Sequence, residues 1–178
     1  MNATVVNATR AGTGSGRETI GAADALPLLQ LERYLHQAIP LSRAMQVSVL
    51  EASEHQVVLA APLTPNLNHR GTVFGGSAST LATLAAWTLL YWRLRSHQPD
   101  ASVVLQSSSM RYLHPIATAF SARASLGAEE PWTLFRRTLE RRGKARISVG
   151  AEVLDGGQPA ALFRGEFVAL TELSEGRP

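Results

Sequence analysis

Asn66-Leu67-Asn68-His69-Arg70-Gly71-Thr72-Val73-Phe74-Gly75-Gly76-Ser77 opens the stretch that decides the fold, residues 66–95. A polar, asparagine-rich loop gives way to paired glycines. The chain then runs without a charge through Ala82, Leu84, Ala85, Trp87, Leu89 and Leu90 to Arg93. Roughly twenty such residues predict a helix about 30 Å long at ~1.5 Å per residue. Apolar side chains lie almost all the way round it, the mark of a buried helix rather than a surface one. Gly75 and Gly76 at its start let backbone approach a ligand closely and leave free N–H groups pointing outward. Those groups stand at the positive end of the helix dipole, where an oxyanion is stabilised. Three simpler readings compete. An uncharged run of this length also suits a membrane span, but Gly71, Ser77, Ser79, Thr80, Thr83 and Thr88 dilute it and no second apolar run accompanies it. Ser77 invites a nucleophile reading, yet Gly-x-Ser-x-Gly fails at Ser79, and serine is an ordinary residue at a helix start. The glycines also suit close helix–sheet packing alone.

Outward from this stretch, composition narrows the class. The 178 residues carry a net charge of +3 and are 45% apolar, enough for one domain with a real core. The positive excess is small and scattered, which argues against bulk nucleic-acid binding. Cysteine is absent, excluding disulfides, thiolate catalysis and cysteine metal sites. His36, His55, His69, His97 and His114 show no ligand-like spacing, so no metal site is expected. No charged-then-apolar leader opens the chain, making the cytoplasm the expected compartment.

Residues 1–23 are small and polar and read as a disordered tail, with a single domain expected over 24–174. A first helix is expected from Asp24, with Pro27 in its first turn and Pro40 at its end; Leu28, Leu31, Leu35 and Ile39 share one face. Strands are expected over 46–52 and 56–63, then over 102–113, 119–127, 133–140, 146–154 and 161–170. The turns between them fall at Ser53-Glu54, Arg142-Gly143-Lys144 and Asp155-Gly156-Gly157. Period-two alternation gives most of these strands one buried face. A buried helix among antiparallel strands requires the sheet to curl round it, an α+β architecture without internal repeats.

This pattern resembles the hot-dog fold, a curved antiparallel sheet wrapped on one long central helix. Asn68-x-x-Gly71-x-x-Phe74-Gly75-Gly76 is similar to the Asn-x-x-Gly-x-x-His-Gly-Gly signature of small hot-dog acyl-thioesterases. Tyr112-Leu113-His114-Pro115 and Asp155-Gly156-Gly157 match as well, so the resemblance spans roughly residues 40–170. It is nearest to the thioesterase domain found at the C-terminus of certain acetyltransferase-like bacterial proteins, some members of which decarboxylate malonyl groups on acyl carrier protein. Two departures stand out. Phe74 replaces the family histidine, and Thr83 falls where many relatives carry an acid on the helix.

The resemblance implies an enzyme acting on acyl-CoA or acyl carrier protein. Its pantetheine belongs to the substrate, and no separate cofactor is expected. Asn68 with the N–H groups of Gly75 and Gly76 would form an oxyanion hole, and Phe74, Thr83 and Ser108 would line the acyl site. Hydrolysis of a thioester needs an activated water, and the only titrating group beside the motif is His69. Loss of carbon dioxide from a malonyl thioester needs no base, only stabilisation of an enolate. The missing helix acid therefore favours decarboxylation, with thioester hydrolysis and a non-catalytic acyl-thioester binder as alternatives. The simpler reading of Asn68 is an asparagine turn holding its loop. Arg136, Arg137, Arg141, Arg142, Lys144 and Arg146 crowd one expected hairpin, suited to phosphate, to an acidic carrier protein or simply to solvent. By analogy with hot-dog domains, a homodimer or higher homo-oligomer is expected, without nucleic acid or membrane partners.

Overall fold

A helix apolar on nearly every side stays in water only inside something else, and here a six-stranded antiparallel sheet curves around it. The computed structural model describes residues 22–127 and 129–171. The expected tail lies outside them except for its last two residues, which open the first helix; residues 172–174 of the expected domain also lie outside. In chain order come α1 (Ala22–Ala38), α2 (Pro40–Ala44), β1 (Ser48–Ala52), β2 (Gln56–Ala61), a 3-10 turn (Thr64–Asn66), α3 (Gly75–Arg95), β3 (Ser102–Tyr112), β4 (Phe120–Ser125), α4 (Glu129–Arg142), β5 (Lys144–Asp155) and β6 (Gln158–Leu170). The strands pair in the order β1-β2-β4-β5-β6-β3. This is the hot-dog arrangement, with α3 as the enclosed helix.

The register explains how the helix fits. Across β2, β4 and β5 one face presents Val57, Ala124 and Ala151 in one row and Leu59, Ala122 and Val153 in the next. All six are buried, as are Ala78, Leu81, Ala82, Ala85, Ala86, Leu89 and Leu90 of α3. Alanines on both surfaces allow close approach, and leucines fill the space between them. On β6 the same face carries Phe163, Gly165 and Phe167. A Cβ at Gly165 would stand 2.7 Å from the Phe167 ring and 2.9 Å from Phe163, so glycine lets two rings share the space. The Asp155–Gln158 turn joining β5 to β6 has positive φ at Gly156 (55°) and Gly157 (87°), as a two-residue hairpin loop of matching twist demands.

Three expectations are corrected. Residues 133–140 are not a strand: they lie within α4, whose buried Trp132, Phe135 and Leu139 recur at helical spacing. The expected arginine-rich hairpin is accordingly the second half of a helix followed by the start of β5, with Gly143 (φ 64°) at the junction. β4 stops opposite Gly150, and α4 packs on β5. Pro40 both ends α1 and begins α2, so β1 starts at Ser48 rather than at 46. Among the described residues no helix is long and apolar enough to cross a membrane.

The two sheet edges differ. Along β1, α1 intervenes: the Glu32 carboxylate accepts from the Val49 N–H at 2.9 Å, and the His36 Nε2–H donates to the carbonyl of Val47 at 2.8 Å. A stack of Tyr34 on Tyr91 and Tyr91 on Trp87, at 4.7 and 5.1 Å, ties α1 to α3. Burial, and then the neighbouring Tyr91 hydroxyl, push the Tyr34 phenol above its usual range. β3, at the other edge, carries exposed Val104 and Leu105.

The entry into α3 is held by a residue easily overlooked beside Asn68. Asn66 is 1% exposed, and its Nδ2 donates to the carbonyls of Met45 (3.1 Å) and Pro62 (2.8 Å). Its own carbonyl accepts from the N–H of Phe74 at 2.7 Å, the residue that caps α3. Asn66→Ala strands two carbonyls, at about 1–3 kcal/mol for each stranded group. Urea unfolding is expected to show a loss of about 2–6 kcal/mol; a wild-type midpoint would contradict this role.

Candidate active site

The loop 68–73 folds on the side chain of Asn68. Its Oδ1 accepts from the N–H groups of Arg70 (2.7 Å) and Thr72 (3.3 Å), while Nδ2 donates to Thr72 Oγ1 (2.8 Å) and the Val73 carbonyl (3.2 Å). This is an asparagine turn in which both amide hydrogens are engaged. Gly71, at φ 77° with open space around it, supplies the left-handed residue that the turn requires. The Val73 N–H then donates to the carbonyl of Ile116 at 2.8 Å, binding the loop to the segment after β3.

Between this loop, the first turn of α3 and residues 112–116 lies an open cleft of about 420 Å³. Asn68, Arg70, Gly75, Tyr112 and His114 are among its lining residues. The Tyr112 hydroxyl donates to the Gly75 carbonyl at 2.8 Å, and a Cβ on Gly75 would come within 3.3 Å of that oxygen. Gly75 thus gives the tyrosine room to reach the helix start. Gly76 does the same for Phe74, whose ring would stand 2.2 Å from a Cβ there and is otherwise largely exposed, at 56% for the residue.

The first bond within α3 runs from the Ala78 N–H to the Phe74 carbonyl, 3.1 Å. The N–H groups of Gly75, Gly76 and Ser77 therefore precede the intrahelical ladder and have no acceptor within the helix. No acidic residue occupies the first turn, so the dipole there is not offset by a neighbouring carboxylate.

Acid–base groups are sparse. No carboxylate lines the cleft. Both ring nitrogens of His114 face carbonyl oxygens, Nδ1 that of Pro115 and Nε2 that of Pro159, each at 3.1 Å, so neither directs a lone pair into the cleft. His69 is exposed and does not line it.

Of the residues singled out from the sequence, Asn68 and Gly75 share this cleft; Phe74, Gly76, Thr83 and Ser108 are not in its lining. Gly76 and Phe74 follow Gly75 and the loop directly. Thr83 lies two turns further along α3, half-buried, its hydroxyl donating to the Ser79 carbonyl at 2.9 Å. Ser108 is exposed on β3 opposite Gly165. Arg70 and the supporting Asn66 were not singled out, and Tyr112 was read only as part of a matching motif. No sequence periodicity marks a loop arginine or tells a buried loop asparagine from an exposed one.

The chain is similar to a protein of unknown function from Chlorobaculum tepidum, OLEI01261, at 26% identity and a TM-score of 0.78, covering 83% of this chain and 96% of that one. It is also similar to a structure described as a putative thioesterase from Shewanella oneidensis, at 27% identity and a TM-score of 0.72, covering 82% and 99%. Thioesterase HI1161 from Haemophilus influenzae shares the fold at 14% identity and a TM-score of 0.65, over 84% and 94%. The model of the family described as "Putative thioesterase (yiiD_Cterm)" matches residues 28–171, most of the chain and the whole of the cleft, and the chain belongs to that family.

Proposed function

We propose that the protein is an acyl-thioester enzyme that binds the thioester carbonyl at the start of α3, and that its reaction is decarboxylation of a malonyl-type thioester. One observation carries the reading: the cleft places hydrogen-bond donors beside a helix N-terminus and contains no carboxylate or available imidazole. Such a site stabilises negative charge but offers nothing to deprotonate water.

In this reaction the bond from the malonyl α-carbon to its carboxylate breaks and carbon dioxide leaves. The electron pair moves into the thioester, whose carbonyl oxygen becomes an enolate oxygen. Protonation at carbon by water then yields the acetyl thioester. On this reading the N–H of Gly75, which lines the cleft, and that of Gly76 next to it would donate to that oxygen where charge develops, each contributing about 3–4 kcal/mol. Asn68 joins them by releasing its longer bond, to the Val73 carbonyl, while Oδ1 keeps the loop folded. The acyl group arrives on coenzyme A or on the pantetheine of a carrier protein.

Hydrolysis is the second reading, favoured by the thioesterase family itself. Thr83 would orient the water, since a hydroxyl that donates to Ser79 retains lone pairs to accept from it. Incubation with malonyl and straight-chain acyl pantetheine thioesters separates the two. Acetyl thioester and carbon dioxide without free thiol are expected from the malonyl substrate. Thiol release from straight-chain substrates with no acetyl product would overturn decarboxylation, and binding without any turnover would overturn both.

Asn68→Asp keeps the loop's acceptor and removes the amide donor. On this reading it, like Asn68→Ala, loses about a hundredfold in kcat while the protein stays folded by circular dichroism. Near-normal turnover in Asn68→Asp would leave Asn68 as a loop clamp only.

A homodimer formed along β3 fits the same picture. The β1 edge is closed by Glu32 and His36, whereas β3, eleven residues long, presents exposed Val104 and Leu105 at an edge, a template for pairing with another copy. Sedimentation is expected to give a dimer, and Val104→Lys with Leu105→Lys to weaken it at least tenfold. A monomeric wild-type chain would contradict this.

A further inference from the structure

A second recess lies on the other side of the molecule's chemistry. Between α4 and strands β5 and β6 runs an open groove of about 560 Å³, sharing no lining residue with the cleft at α3. Its volume falls within the range of small-molecule sites, roughly 300–1,000 Å³. Pro131, Leu134 and Phe135 of α4 form one apolar wall, and Leu134 is 67% exposed there. Arg146 and Arg164 also line the groove.

Gly150 lines the same groove on β5 and has no packing reason to be glycine. Its φ lies outside the left-handed range, and the nearest atom to a Cβ built there is the Phe163 carbonyl oxygen at 3.8 Å, an ordinary contact. Gly165, by contrast, is demanded by two rings. Glycine within a strand is less stable than alanine because it loses more backbone freedom on folding, so Gly150 gives up stability and leaves the recess open.

The charge is also only partly compensated. The neighbouring carboxylates are engaged elsewhere: Glu152 with Arg123 at 2.7 Å and Glu140 with Arg136 at 3.6 Å. Glu166 reaches Arg164 only at 3.9 Å, beside a highly exposed guanidinium. Arg146 has no ion pair among the described residues. Two guanidiniums at an apolar trough select a molecule with an anionic head and an aliphatic tail.

We infer that the groove between α4 and β5–β6 is a second ligand site, for a single-chain anionic amphiphile. Its carboxylate or phosphate head sits on Arg146 and Arg164, and its chain lies between Leu134 and the open strand at Gly150. The inference stands apart from the proposed chemistry at α3.

Calorimetric titration of the full chain with decanoate and decyl phosphate, below their micelle concentrations, tests it. Decanol and decyltrimethylammonium serve as controls. Micromolar binding of at least one anionic probe is expected, and which one binds more tightly identifies the head group. Gly150→Val suits a strand and fills the trough; it should abolish binding without lowering the melting temperature. The double variant Arg146→Ala with Arg164→Ala should weaken binding at least tenfold, whereas Asn68→Ala should leave it unchanged. The site is overturned if neither anionic probe binds below a millimolar, if decanol binds equally well, or if binding survives the arginine variant. Binding lost in Asn68→Ala would place the probe at α3, and occupancy of the groove only by an acidic protein would likewise overturn it.

Discussion

Enclosure of α3 is the constraint on which the rest of the structure depends. Its buried residues include Ala78, Leu81, Ala82, Leu84, Ala85, Ala86, Leu89, Leu90 and Leu94, covering several sides of the helix. At about 25 cal/mol per Å² of apolar surface removed from water, such a helix gains far more by enclosure than by lying on a surface. The sheet meets this demand through alanines at the helix contact and through a register that keeps one face apolar from β2 to β6. A helix held so firmly also has ends fixed in space. The orphan N–H groups of its first turn are then fixed in space as well, with Gly75 lining the cleft, and fixed dipoles need no reorganisation when charge develops beside them.

The cleft sets a helix N-terminus among few acid–base groups. Asn66, buried and bonded to Met45 and Pro62, joins the chain before β1 to the entry of α3. Asn68 shapes the next turn, and Tyr112 bonds to the first residue of the helix from the end of β3. The chain before β1, the loop 66–73 and the end of β3 are thus tied together at the start of α3. Phe74 stands where related signatures have a histidine, and its ring lies against Gly76. That exchange removes an ionisable group and places a hydrophobic surface beside the helix start.

Much of the fold was readable in the sequence because the signals were local and redundant. The long uncharged run, the paired glycines before it and Asp155-Gly156-Gly157 each encode backbone geometry within a few residues. α4 was misread for a physical reason. Thr133, Leu134 and Phe135 suit a strand, and the helical recurrence of Trp132, Phe135 and Leu139 stands out only once it is known which residues are buried. The site was partly readable: the motif pointed to Asn68 and Gly75, which share a cleft. Arg70 and Tyr112 reach it through loop geometry and strand register, which no short window of sequence contains. Asn66 and Asn68 are two residues apart in one loop, and only the distant carbonyl of Met45 decides which of them is buried.

The central claim is that the first amides of α3 receive the oxygen of a thioester. Amide proton and nitrogen shifts, recorded while the protein is titrated with a non-hydrolysable malonyl-pantetheine analogue that retains the carbonyl, test it most directly. The account predicts saturable downfield movement of the Gly75 and Gly76 amide protons, larger than at glycines remote from the cleft such as Gly156 and Gly157. Saturable binding that leaves Gly75 and Gly76 unmoved, with the largest shifts elsewhere in the chain, would contradict it.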